Sequence, residues 1–275
     1  MTPTLRLYAR LTAGSAFFLL IAGGMVTSTG AGLSVPDWPL AFGMVFPPMI
    51  GGVFYEHGHR LTAGVVSLLT FGLAFWVHRT EERLWVRRLA LAAAGGILGQ
   101  ALLGGLTVIL KLPAVVSVSH ACLGQAIFCL LLLLAQATTD LPQGRAPARV
   151  WKAAAGASAA VFLQLFLGAL VRHTGHGLTV HIIWAAGATI AVLAAAGLAL
   201  KASGEQTALK GPAIALGLLI PLQLALGFMA LIIRHSALSP LGFRASALMI
   251  TAHLAAGALI LGASVVLAAR AYQTR

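Results

Sequence analysis

The chain reads as an all-α integral membrane protein, with eight transmembrane helices arranged as two parallel four-helix repeats. Three observations lead there. Hydrophobic residues make up 59% of the 275 positions and charged residues 9%, against about 25% charged in soluble domains. The mean hydropathy is +0.95, which leaves no polar skin to hold such a fold in water. Apolar runs of bilayer length, roughly 20 residues each, recur eight times along the chain. This composition excludes a secreted domain, a cytosolic enzyme and a disordered chain.

The runs lie at 11–31, 61–78, 89–110, 114–137, 153–172, 179–200, 212–233 and 246–269. The first follows Arg6 and Arg10; its length and its Gly23-Gly24 exit argue against a cleavable signal. The second lies between Arg60 and Arg79, and the third between Arg88 and Lys111. Only Lys111 and Pro113 separate the third from the fourth. A proline disfavours helix in the residue before it, and one helix over 89–137 would overshoot a bilayer, so the run divides there. Lys152 and Arg172 bracket the fifth, Lys201 closes the sixth, Lys210 and Arg234 bracket the seventh, and Arg244 and Arg270 the eighth.

Eight spans place both termini on one side. That side carries Arg6, Arg10, Arg79, Arg83, Arg87, Arg88, Arg145, Arg149, Lys152, Lys201, Lys210, Arg270 and Arg275; the other carries Arg60, Lys111, Arg172, Arg234 and Arg244. The positive-inside rule then expects both termini in the cytoplasm. The same scatter accounts for the +12 net charge without a nucleic-acid partner, which would need basic residues gathered on one face. Between the first two spans, residues 32–58 form a long outer loop with four prolines, expected to lie on the bilayer surface or cover a site, with Trp38 and Tyr55 at headgroup level.

GGMVTSTGAGL at 23–33 aligns with GALVRHTGHGL at 168–178, sharing Gly23/Gly168, Val26/Val171, Thr29/Thr174, Gly30/Gly175, Gly32/Gly177 and Leu33/Leu178. QALLGG at 100–105 aligns with QLALGF at 223–228. Their common order points to a duplication in which four spans return the chain to its starting side, a parallel repeat. The halves are 1–140 and 141–275. Cys122 and Cys129 sit in one helical run, separated by about 10.5 Å of rise, too far for a disulfide.

Histidine marks the even-numbered spans: His59 opens the second, His120 is early in the fourth, His181 opens the sixth, and His253 lies two turns into the eighth. The repeat pairs His59 with His181 and His120 with His253. His78 is set aside at a cytoplasmic helix end, and His57 and His235 in outer loops. An ionisable residue in a span is a functional candidate by default. Two imidazoles from facing helices in an apolar bundle suit the axial positions of a haem; zinc would want a third or fourth ligand close by. The reading is one bis-histidine site per half.

Glu56 lies three residues before His59, on the same helix face, whereas Leu178 occupies the matching position before His181. Reaction is expected in the first half and a fixed cofactor in the second. The alternative for Glu56 is an interfacial acid paired with Arg60 or His57. Arg172, His173 and His176 lie where they could contact haem propionates or simply face water. Gly23, Gly24, Gly95, Gly96, Gly104 and Gly105 allow close helix packing or leave room for a flat macrocycle, with packing favoured.

GGMVTSTGAGLSVPDWP, YEHGHRLTAG, VSHACLG, TGHGLTVH and TAHLAAG together resemble the haem A synthase family over nearly the whole chain. The resemblance implies a plasma-membrane oxidoreductase that oxidises the C8 methyl of haem O to a formyl group, giving haem A for terminal oxidases. It implies Glu56 as the catalytic acid, His59 and His120 as ligands of the substrate haem, and His181 and His253 as ligands of a haem b cofactor. It also implies, as partners, a haem O-making prenyltransferase and an electron acceptor that the sequence does not identify. The chain departs from the family in lacking the cysteine pair many members carry in the first outer loop. Two other readings stay open: a dihaem b-type electron-transfer protein, which leaves Glu56 without a task, and a transporter, which would place its polar groups nearer mid-membrane.

Overall fold

The computed structural model describes residues 2–139, 144–204, 206–235 and 242–274. Among them are eight helices long and apolar enough to cross a membrane: α1 (Pro3–Ser28), α2 (Gly52–Thr80), α3 (Leu84–Ile109), α4 (Ala114–Ala137), α5 (Ala148–Thr174), α6 (Leu178–Ala202), α7 (Lys210–His235) and α8 (Gly242–Gln273). The all-α membrane architecture expected from the sequence is what the chain forms. The shortest, α4, has 24 residues, a rise of about 36 Å, enough for a hydrocarbon core. Only 17–50% of each helix's most apolar stretch is buried within the protein. The outward residues, such as Leu98, Leu102, Ile183 and Leu218, are exposed, as lipid-facing residues should be.

Local chemistry explains the helix ends. Thr2 caps α1 by accepting from the Leu5 N–H, with Pro3 at the first position, where its missing N–H costs nothing. The expected break between the third and fourth spans is present: Lys111 and Leu112 both take positive φ, 59° and 60°. Such a conformation strains a residue bearing Cβ. It is held by hydrogen bonds from Lys111 N to Val108 O (3.0 Å) and Leu112 N to Thr107 O (2.6 Å). Gly30 and Gly175, aligned by the proposed repeat, both have positive φ just beyond a helix end.

Boundaries shift most at the first two spans. The second span starts at Gly52 instead of 61, so Glu56, His57 and His59 are helical. His57, read as a loop residue, is buried in α2. The physical reason is that the loop before α2 supplies partners for these polar side chains, so the helix can carry them inside. The first span starts at Pro3 and ends at Ser28, leaving 29–51 outside the helices. The expected division between halves, at 140 and 141, lies outside the described residues, as does Arg275.

The chain forms two compact units, 1–131 with 226–255 and 132–225 with 256–275. In the first, α1 packs on α2 through Tyr8 and Trp76, whose ring centroids are 5.8 Å apart, and on α4 through Phe17 and Phe128. Ser28 and Thr251 share a 2.9 Å hydrogen bond between α1 and α8. In the second, the Trp184 indole N–H donates to the Ala160 carbonyl at 2.9 Å, joining α6 to α5. Arg270 donates to Gln136 Oε1 and to the Ala208 carbonyl.

Cys122 and Cys129 are both free thiols. Replacing both by serine is expected to leave the fold and its stability unchanged, and reductant should have no effect. A large loss in purified double-variant protein would assign the thiols a role this geometry does not give them.

Candidate functional site

His59, His120, His181 and His253 each rest on a glycine of the helix before. A Cβ placed on Gly23 of α1 would meet the His59 ring at 3.0 Å; on Gly104 of α3, the His120 ring at 3.2 Å. On Gly168 of α5 it would meet His181 at 3.1 Å, and on Gly227 of α7, His253 at 2.9 Å. Absence of a side chain at these four positions is what lets the Cε1 edge of each imidazole approach the neighbouring backbone. His59, His120 and His253 belong to the first unit and His181 to the second. The Nδ1 of His59 is buried without a hydrogen-bond partner.

Close packing against another helix, the favoured reading of the glycine pairs, is present at four of six positions, and Gly105 packs on the outer loop instead. Gly23 and Gly104 seat histidines, Gly24 seats Thr251, Gly96 seats Ile127 and Gly105 seats the Trp38 indole, while Gly95 faces open space.

The loop over α2 is anchored to it. Glu56 is buried; its Oε2 accepts from the Val35 N–H at 2.9 Å and its Oε1 from Arg60 Nη2 at 2.6 Å. The alternative pairing of Glu56 with Arg60 is thus present, and pairing with His57 is not, since His57 Nε2 lies 2.9 Å from the Val45 carbonyl. Arg60 also donates to the carbonyls of Asp37 (2.7 Å), Leu40 (3.0 Å) and Val35 (3.1 Å). Sequence reasoning named Arg60 only as a possible partner of Glu56 and missed its bonds to the three loop carbonyls. Its place four residues after Glu56, where helix side chains meet, was the available signal.

Asp37 closes the loop on itself, accepting from the N–H groups of Phe42 (2.7 Å) and Gly43 (2.8 Å). The Gly43 and Phe42 amides hold its carboxyl below the ordinary carboxylate value. A lowered carboxyl stabilises above its unfolded-state value and loses that contribution as pH falls through the folded one. The loop is therefore expected to loosen in acid and not in base.

Trp38 packs its ring on Gly105, where a Cβ would come within 2.7 Å. Gly104, beside it, seats His120, so one end of α3 carries both the loop's indole and the imidazole. The Gly105→Ala variant must expel Trp38, since a Cβ at that distance cannot be absorbed by small shifts. Faster proteolysis within residues 32–50, with the helices intact, is the expected result.

Arg172 and His173 end α5, and His176 lies exposed in the link to α6. Among the described residues no three His, Cys, Asp or Glu side chains gather as a metal cluster, so those residues do not assemble a zinc-type centre. Imidazoles seated on glycines, with an unpartnered ring nitrogen at His59, are of the kind that a porphyrin iron takes as ligands.

Residues 51–184 match the family model described as cytochrome oxidase assembly protein. Among curated relatives, the chain is 31% identical over 185 residues to a protein named "Heme A synthase" from Bacillus pumilus (strain SAFR-032), covering 63% of this chain and 60% of the relative. Others of that name are 28% identical over 186 residues in Bacillus licheniformis, covering 65% and 62%, and 31% identical over 174 residues in Shouchella clausii, covering 60% and 58%. The matched part spans about three-fifths of the length of these relatives. The chain is thus similar to proteins named as haem A synthases, the family that its motifs resemble.

Proposed function

We propose that the protein is a haem A synthase, a multi-pass membrane oxidoreductase that converts the C8 methyl of haem O into a formyl group. The observation that carries the reading is the set of four glycine-seated histidines, one on each even helix, with a buried carboxylate beside only the first. His59 and His120 would hold the substrate haem, and His181 and His253 a haem b cofactor. Arg172, His173 and His176 would meet propionates. The repeat of 1–140 in 141–275, with both termini in the cytoplasm, would account for two such sites.

Bound haem b supplies one-electron chemistry that side chains lack. The chain's own residues bind, orient and move protons. The glycine seats fix each imidazole plane. The loop through Trp38 and Arg60 covers the first site and limits water. Converting a methyl to an aldehyde adds one oxygen atom; with water as its donor the step gives four electrons to the acceptor and releases four protons, and Glu56, one helical turn from His59, is the carboxylate placed to take them in turn. Arg60 has three carbonyls to hold when Glu56 accepts a proton. A prenyltransferase would supply haem O, and an acceptor outside the chain would take the electrons.

Pigments extracted from purified protein test this reading. Haem A or haem O beside haem b supports it. Haem b alone would favour the dihaem electron-transfer reading, and no haem would exclude both.

A further inference from the structure

The two sides of α1 differ. Gly23 faces His59, and Gly14, nine residues earlier, is about 900° of helical rotation away, on the opposite side. Ala9, Ala13 and Ala16 are buried, while Arg10, Leu11, Gly14 and Phe18 are exposed. A Cβ at Gly14 would meet nothing within 4 Å. Beside it α1 and α2 leave a groove of about 600 Å³, with Arg10, Leu11, Ser15, Phe18, Thr62 and Val65 along it. The Thr62 hydroxyl donates to the Gly58 carbonyl at 2.8 Å, so its polar group is satisfied within α2. Apart from Ser15 the walls are apolar, and among the described residues that line the groove Arg10 is the only charged one.

Arg10 stands at the edge of the hydrocarbon layer. From Arg10 to Ser28, the last residue of α1, the rise is about 27 Å, close to the thickness of a bilayer core. Tyr8 and Trp76, with ring centroids 5.8 Å apart, lie near the same level, and such side chains favour the headgroup region. Arg6 is one turn nearer the start of α1, on the same side as Arg10. An occupant of the groove therefore meets guanidinium groups at the membrane surface and apolar walls below them.

A phospholipid has its parts in that order. Its phosphate suits the forked donors of arginine, and its acyl chain suits the walls. A zwitterionic headgroup would bring its own cation against Arg6 and Arg10, whereas an anionic one brings none. Basic pockets between membrane helices take anionic headgroups for this reason. We propose that the α1–α2 groove binds one anionic phospholipid of the leaflet in which α1 begins. Its phosphate sits on Arg10, with Arg6 beside it, and one acyl chain runs from Leu11 to Phe18. The site lies on the side of α1 turned away from His59 and stands whether or not the chain binds haem.

The test uses full-length protein in detergent micelles, titrated with dioleoyl phosphatidylglycerol or dioleoyl phosphatidylcholine, with bound lipid counted by native mass spectrometry. Wild-type protein should hold one phosphatidylglycerol at least about tenfold more tightly than phosphatidylcholine, the worth of a hydrogen bond to a charged group. Arg10→Gln should erase that preference. Gly14→Leu places its side chain in the open groove and should weaken both lipids by about tenfold, since several acyl methylenes lose their burial. Arg149→Gln removes the same charge from an exposed position at the start of α5 and should change nothing. Equal affinity of wild-type protein for the two lipids would overturn the proposal, as would an unchanged preference in Arg10→Gln or an equal loss in Arg149→Gln. Unchanged affinity in Gly14→Leu would also overturn it; if that variant separates a wild-type dimer instead, a second copy of the chain fills the groove. Should Gly14→Leu fail to fold, Arg10→Gln against Arg149→Gln decides.

Discussion

Glu56→Gln is expected to retain the fold and both haem sites while haem A formation falls by about 10²–10⁴-fold, the usual worth of a side chain that transfers a proton in the transition state. The loop should survive the change. Glutamine still offers an oxygen to the Val35 N–H, Arg60 keeps its bonds to the carbonyls of Val35, Asp37 and Leu40, and His57 keeps Val45. What is lost is a carboxylate one turn from His59. The measurement is the ratio of haem A to haem O extracted from cells expressing the variant. A stall at haem O, or at a partly oxidised product, is the expected outcome. Near wild-type haem A would reduce Glu56 to a loop anchor, and loss of bound haem together with haem A would show a structural role only.

His181→Ala and His253→Ala are each expected to abolish the low-spin haem b spectrum of purified protein. Low-spin haem of this type needs a nitrogen on both axial faces, and alanine supplies none. The changes should be confined, because Gly168 and Gly227 present only backbone to the departed rings. Absorbance of the reduced pigment, set against protein concentration, gives the occupancy. Full low-spin occupancy in both variants would refute the cofactor assignment.

Much of this molecule was legible before folding. A bilayer requires every span to be a helix and to be apolar for about 20 residues, so hydropathy alone located all eight, including the break at Lys111–Pro113. Spacing alone brought out one histidine on each even helix.

The tertiary structure decided the rest, chiefly around the first outer loop. Hydropathy placed the start of the second span at 61, because Glu56, His57, His59 and Arg60 are costly in a membrane helix when considered alone. Folding removes that cost: the Val35 N–H meets Glu56, three loop carbonyls meet Arg60, and the Val45 carbonyl meets His57. These partners lie 12 to 25 residues away in sequence. Local spacing determines which residues share a helix face. Whether a polar side chain on that face can be buried depends on donors and acceptors that only the folded loop brings within hydrogen-bond distance.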